Sequence, residues 1–214
     1  TRRMGYWVDM QHPYVTYENS YIESVWWVIA QVAKLKNAKR DSLLYKGHRV
    51  IPYCYRCGTA LSSHEVAQGY QTVKENSIYI KFKLKPGQKV GDFITDDKTY
   101  ILAWTTTPWT LPGNVALAVG KDIGYVAIKQ EKEQYILAKN RSGVIDEKHK
   151  IIREFPGDKL ISLVYEPLYA LTDKENVYKV VSGDFVSTED GTGVVHIAPA
   201  FGEDDANVGK EYDL

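Results

Sequence analysis

Apolar positions in this chain recur with two different periods. Between residues 21 and 36, Ile22, Val25, Trp26, Ile29, Val32 and Ala33 return every three or four residues, the spacing that lines one face of a helix. Asn19 or Ser20 offers the cap, and Glu23 stands three residues beyond Ser20, a capping-box pattern. Beyond residue 75 the period falls to two. Ile78, Ile80 and Phe82 alternate with Tyr79 and Lys81, which predicts a half-buried strand over 77–83. Short strands are also predicted over 89–93, 100–104, 151–155, 165–169, 178–181 and 194–197, and an apolar run resumes over 115–119. Residues 125–128 and 134–138 predict a hairpin across the polar stretch 129–133, and 43–45 with 50–53 another around Lys46-Gly47. Residues 144–149 read as a short helix or loop. A last helix is predicted from Glu203 toward Tyr212, because carboxylates in a first turn complement the helix dipole. The fold class is therefore α+β: many short strands forming a closed or nearly closed barrel, with a few peripheral helices.

Composition narrows this picture only a little. A chain of 214 residues, 44% hydrophobic, can hold one full domain and a smaller appendage. No apolar run approaches the ~18 residues that cross a membrane, and no signal-peptide pattern is visible. The expectation is a soluble, cytoplasmic protein with no membrane partner. Formal net charge is zero, yet Lys34, Lys36, Lys39, Arg40, Lys46 and Arg49 face only Asp41 in their stretch. Such a stripe either meets phosphates or forms the solvated face and exit loop of a helix. Cys54-Tyr55-Arg56-Cys57, followed by Gly58, has the spacing of a zinc knuckle, but these are the chain's two cysteines and a closed structural site needs four ligands. His48 and His64 are the candidates to complete it. A redox pair is the other reading, with no thioredoxin-like unit nearby.

Two stretches carry the candidate chemistry. In the first, Trp104-Thr105-Thr106-Thr107-Pro108-Trp109-Thr110-Leu111-Pro112-Gly113-Asn114, a strand gives way to three hydroxyls and a stiff Pro- and Trp-rich loop. This is either a solvated edge strand ending in a turn, or a small polar site in an apolar wall. The second runs Asp190-Gly191-Thr192-Gly193-Val194-Val195-His196-Ile197-Ala198-Pro199-Ala200-Phe201-Gly202-Glu203-Asp204-Asp205. Here Asp204 and Asp205 read equally as helix caps, and His196 as a core histidine. No Gly-x-Ser-x-Gly elbow is present, and His196 has no evident serine or cysteine partner.

Together the two stretches closely resemble the signature segments of the editing domain of isoleucyl-tRNA synthetase. The likeness extends through 52–65 and 14–27 and covers nearly the whole chain. Relatives that edit valyl- and leucyl-tRNA usually read Thr-Thr-Arg-Pro where this chain has Thr105-Thr106-Thr107-Pro108, which favours the isoleucyl member. The resemblance implies a helical segment from the junction with the synthetase body over 1–45, a half zinc-ribbon-like connection over 46–74, and a barrel-like editing domain over 75–214. It implies hydrolysis of mischarged valyl-tRNA, and of valyl-adenylate as a further substrate. Asp205 would anchor the ammonium group. Trp104, Thr105, Thr110, His196 and Phe201 would wall the side chain, with His196 and Thr110 clashing with a larger one. Thr106, Thr107 and Asn114 would serve the water and the developing oxyanion. No cofactor is implied for editing; zinc at Cys54 and Cys57 would need a second cysteine pair from elsewhere. The implied partners are the acceptor end of the isoleucine tRNA, the valine moiety it carries and the rest of the synthetase. No His-Ile-Gly-His-type or Lys-Met-Ser-Lys-Ser-type motif is present, so no ligase chemistry is expected. The rival reading is a non-catalytic fragment that binds the acceptor end or the amino acid.

Overall fold

In the computed structural model, which describes residues 1–145 and 148–214, the chain divides into two units, Thr1–His48 and Arg49–Leu214. The first is built on helix α1 (Asn19–Lys34). Its start differs from the expected cap. The Glu18 carbonyl already accepts the Ile22 amide at 3.0 Å, so Glu18 is the N-cap, and Asn19 and Ser20 lie inside the first turn. No Ser20–Glu23 box forms. At the other end Leu35 closes on the Val32 carbonyl (3.1 Å) and stops the helix short of residue 36. The hairpin expected over 43–45 and 50–53 is absent among the described residues. Its first limb is captured instead by the helix end: Ser42 Oγ donates to the Ala33 carbonyl (2.8 Å), and the Leu43 amide to Leu35 (2.9 Å).

The second unit opens with two short strands, β1 (Tyr53–Cys54) and β2 (Thr59–Ala60), paired across the cysteine turn. Helix α2 (Ser63–Ala67) follows and carries a true capping box. Ser62 Oγ accepts the Glu65 amide (3.3 Å), and the Glu65 carboxylate accepts the Ser62 amide (2.8 Å).

Alternation then builds the main sheet. Strands β3 (Ile78–Lys83), β6 (Thr99–Thr105), β8 (Gly124–Gln130), β9 (Glu133–Ala138) and β10 (Lys150–Pro156) pair in the order β10-β8-β9-β6-β3. All pairings are antiparallel except β6 with β9. A three-stranded sheet has β7 (Ala116–Val119) at its centre, parallel to β11 (Lys179–Ser182) and antiparallel to β12 (Val194–Ile197). Period two decides what each face buries. Ile80, Phe82, Ile101, Ala103, Tyr125, Ala127 and Ile136 of the larger sheet meet Leu117, Val119, Val180 and Val194 of the smaller in one core. The other face of β7 offers only Ala116 and Ala118. Small side chains there join Val181, Ile197 and Val208, the last on α3 (Glu203–Glu211), in a second cluster.

Three strand expectations need correction. Residues 89–93 form a tight hairpin of β4 (Lys89–Val90) and β5 (Phe93–Ile94), because Gly91 takes φ +60 and turns the chain. Over 165–169 only Tyr165 makes a ladder contact, a single bridge to Leu84. The sheets do not close into a barrel: β10 and β3 remain edges of the large sheet, and β11 and β12 of the small one. The α+β class itself is as read. Of the short helix or loop expected over 144–149, residues 146 and 147 lie outside the described residues; a 3-10 segment, Lys139–Val144, precedes it.

Candidate active site

Strands β6 and β12 bring the two signature stretches to one edge. Thr192 Oγ1 donates to the Leu102 carbonyl in mid-β6 (2.7 Å), and both strands end four or so residues further on. The threonines have separate duties. Thr105 is buried, and its Oγ1 accepts the Thr107 amide (3.0 Å) and lies 3.2 Å from Thr107 Oγ1. Thr106 and Thr107 are half-buried, and the Thr106 hydroxyl has no hydrogen-bond partner among the described residues. A 3-10 turn, Pro108–Gly113, follows; Pro108 suits its first position, where no amide donor is needed. Gly113 lets the Phe201 ring lie against the turn, since a Cβ there would stand 2.8 Å from the ring. Phe201 itself stays largely exposed.

Thr110 joins the stretches. Its Oγ1 donates to the Thr107 carbonyl (2.8 Å) and lies 3.0 Å from His196 Nε2. With the hydroxyl proton committed to the carbonyl, Nε2 must carry the proton that completes the second bond. Nδ1 is then a bare acceptor, and it is buried without a partner. Burial holds the imidazole below its ordinary pKa, with the charge of Asp205 opposing that shift in part. His196 is thus neutral, 8% exposed, and close enough to Asp205 to feel its charge.

Asp205 sits in the first turn of α3 behind the N-cap Gly202. Its Oδ1 accepts the Ala198 amide (2.7 Å), which pins the carboxylate to the loop leaving β12. Gly202 is needed because a Cβ there would collide with the same carboxylate. Asp204 points elsewhere: it lines a hollow of about 450 Å³ on the other side of α3 with Asn207 and Glu211. Asn114 is buried and fully engaged, its Nδ2 donating to the Ala116 carbonyl (2.8 Å) and its Oδ1 accepting Tyr165 OH (2.7 Å). Trp104 flanks a cleft of about 290 Å³ lined also by Phe185, Glu189, Asp190 and Thr192. Gly191, at φ +68, lets that loop lie on the indole; a Cβ would come within 2.9 Å of it.

Sequence reading missed the supports of this site. Tyr165 lies 51 residues from Asn114. Tyr125, whose hydroxyl donates to the Gly193 carbonyl (2.6 Å), lies 68 residues away, and its burial raises its pKa to about 12. In local pattern both are ordinary strand aromatics. At the knuckle, the Cys57 amide donates to Cys54 Sγ (3.3 Å) and lowers that thiol's pKa, while Gly58 supplies the left-handed turn at φ +69. Both cysteines are free thiols. Neither His48 nor His64 joins them: no group of three ligating side chains occurs among the described residues. Nor is any described helix long and apolar enough to cross a membrane.

The sequence as a whole matches a known family. Residues 1–196 fit the family model of tRNA synthetases class I (I, L, M and V), and the chain belongs to that family. It is 53% identical over 216 residues to the isoleucine–tRNA ligase of Clostridium acetobutylicum, and equally to that of Clostridium tetani. In both cases all of this chain aligns, to 19% of the relative, so the chain spans about a fifth of the ligases it matches. Among solved structures it is similar in fold to GlLeuRS-CP1, with a TM-score of 0.52 and 21% identity over 64% of this chain and 60% of that one.

Proposed function

We propose that this chain is the proofreading module of an isoleucyl-tRNA synthetase, and that it hydrolyses valine from a tRNA meant for isoleucine. The observation that carries this reading is the His196–Thr110–Asp205 constellation: a neutral imidazole with an unpartnered buried acceptor, locked to the Thr110 hydroxyl and within reach of the charge of a pinned carboxylate. A buried polar atom left unpaired is costly unless something else pairs it. An aminoacyl ester would do so. Its ammonium group meets the Asp205 carboxylate, and its side chain lies against Thr110 and His196. Those two side chains lock each other in place, so the wall cannot yield to one more methylene. Binding alone separates isoleucine from valine only by roughly 150-fold, a limit for which this very synthetase is the usual illustration, and a second, smaller sieve overcomes it.

Water attacks the ester carbonyl, the carbonyl oxygen takes up negative charge, and the bond to the ribose oxygen breaks to release valine and tRNA. Thr106, with its uncommitted hydroxyl, orients the water, assisted by the substrate's own ribose hydroxyl. Thr107 lies beside it. Asn114, with both ends engaged, acts by fixing the loop. The cleft beside Trp104 receives the terminal adenosine, with the indole as one wall. No covalent intermediate is invoked. Were zinc bound at the knuckle, Cys54 and Cys57 would supply two of its four ligands, and the other two would have to come from elsewhere.

Single-turnover deacylation of valyl- and isoleucyl-tRNA with the isoleucine anticodon tests this. Valine should be lost and isoleucine retained. Asp205→Asn keeps an acceptor for the Ala198 amide but removes the charge, so it should abolish the reaction without unfolding the loop. Loss of both amino acids would remove the size sieve from the proposal. Loss of neither would leave a binding fragment.

A further inference from the structure

The loop that walls the Trp104 cleft has one bond of its own, the Glu189 amide to Ser187 Oγ (3.1 Å), and its tip is held from outside. Its tip turns at Gly191, and the carbonyls on either side of Asp190 point to one side chain. Arg141, from the 3-10 segment Lys139–Val144, donates Nε to the Gly191 carbonyl (2.8 Å) and Nη1 to the Glu189 carbonyl (3.1 Å). Next to it, Asn140 Nδ2 donates to Thr188 Oγ1 (2.8 Å). The guanidinium is a rigid fork of charged donors, so two carbonyls two residues apart fix its plane, and its plane fixes them. Below the tip, Ala138 accepts no part of this load: its amide donates to the Thr192 carbonyl (2.8 Å) and holds the loop only at its base.

We infer that Arg141 is a positioning residue that sets the affinity of the site for the nucleoside end of its substrate. The inference rests on the reading of the Trp104 cleft as the adenosine site. Arg141 grips the loop through main-chain carbonyls, and neither of these hydrogen bonds involves Thr106, Thr110, His196 or Asp205. It therefore governs whether the cleft is formed, and leaves the chemistry of the ester alone. Release of the tip lets Gly191 lift from the indole and opens the wall against which a base would stack.

The test compares Arg141→Ala and Arg141→Lys with the unaltered chain, using two nonhydrolysable probes: an amide-linked valyl-deoxyadenosine, and valinamide, which lacks the nucleoside. Arg141→Ala should weaken the adenosine probe about tenfold, equivalent to about 1.4 kcal/mol, and leave valinamide within about twofold. Arg141→Lys keeps the charge and one donor, and should recover part of the loss. In deacylation of valyl-tRNA, KM should rise while kcat stays within about twofold. Amide hydrogen exchange over 189–191 should quicken in Arg141→Ala, a readout independent of any activity. Equal weakening of both probes, a fall in kcat at unchanged KM, or unchanged exchange at the tip would overturn the assignment of Arg141. An unaltered chain that binds valinamide but not the adenosine probe would instead overturn the reading of the cleft.

Discussion

Replacing Thr110 by valine isolates the contact that joins the two signature stretches. Valine has nearly the shape of threonine, so no cavity opens and the loss is confined to the hydroxyl. Two bonds disappear, to the Thr107 carbonyl and to His196 Nε2. The carbonyl does not go unpaired, since it still accepts the Thr110 amide at 3.0 Å. The imidazole does. With Nδ1 already unpartnered, both ring nitrogens would be buried without a bond. Leaving one buried donor unsatisfied costs about 1–3 kcal/mol. We therefore expect Thr110→Val to lower the stability of the Arg49–Leu214 unit by about 2 kcal/mol. Thr110→Ser keeps the hydroxyl and loses one methyl, worth about 0.8 kcal/mol. The assay is urea unfolding followed by circular dichroism. At an m-value of about 1–3 kcal/mol per molar, the valine variant should unfold roughly 1 M earlier at unchanged m. A serine variant less stable than the valine variant would refute the reasoning, because packing and not the hydroxyl would then hold the joint.

Stability should also depend on the protonation of His196. Burial holds its pKa in the folded chain below the ordinary imidazole value of 6.5, so the unfolded chain binds more protons as the pH drops below that value. The contribution is fully present above about pH 6.5 and is lost progressively below it, at no more than about 1.4 kcal/mol per pH unit. A His196→Gln variant should lack that slope; equal slopes in the two proteins would count against a buried neutral imidazole. Gly191→Ala should cost about 2 kcal/mol, because alanine resists φ +68 and its methyl group would press on Trp104. A shift in tryptophan emission should accompany the loss, and a silent substitution would show that the loop does not rest on the indole.

Local pattern determined much of this protein. Alternation located β3 and β6, and short β-favouring runs between Gly and Pro breaks located β8, β9, β10 and β12. The threonine run and Asp205 each had an ordinary local reading, an edge strand and a helix cap, and only the resemblance of the two stretches taken together singled them out. The misread elements share a cause. The start of α1 and the fate of residues 43–45 depended on which carbonyl was captured by which distant donor, and the 89–93 hairpin on the φ of one glycine.

Tertiary structure alone decided what the candidate residues do. Nothing in the sequence tells Thr106, with a free hydroxyl, from Thr105, whose oxygen is committed to Thr107. Nor does it link Thr110 to a histidine 86 residues away, Tyr165 to Asn114, or Arg141 to the loop at Gly191. Residue type fixes which bonds a side chain is able to make. Which of them it makes is fixed by the sheets that bring distant segments within 3 Å, and that distance is set by packing, not by the order of the chain.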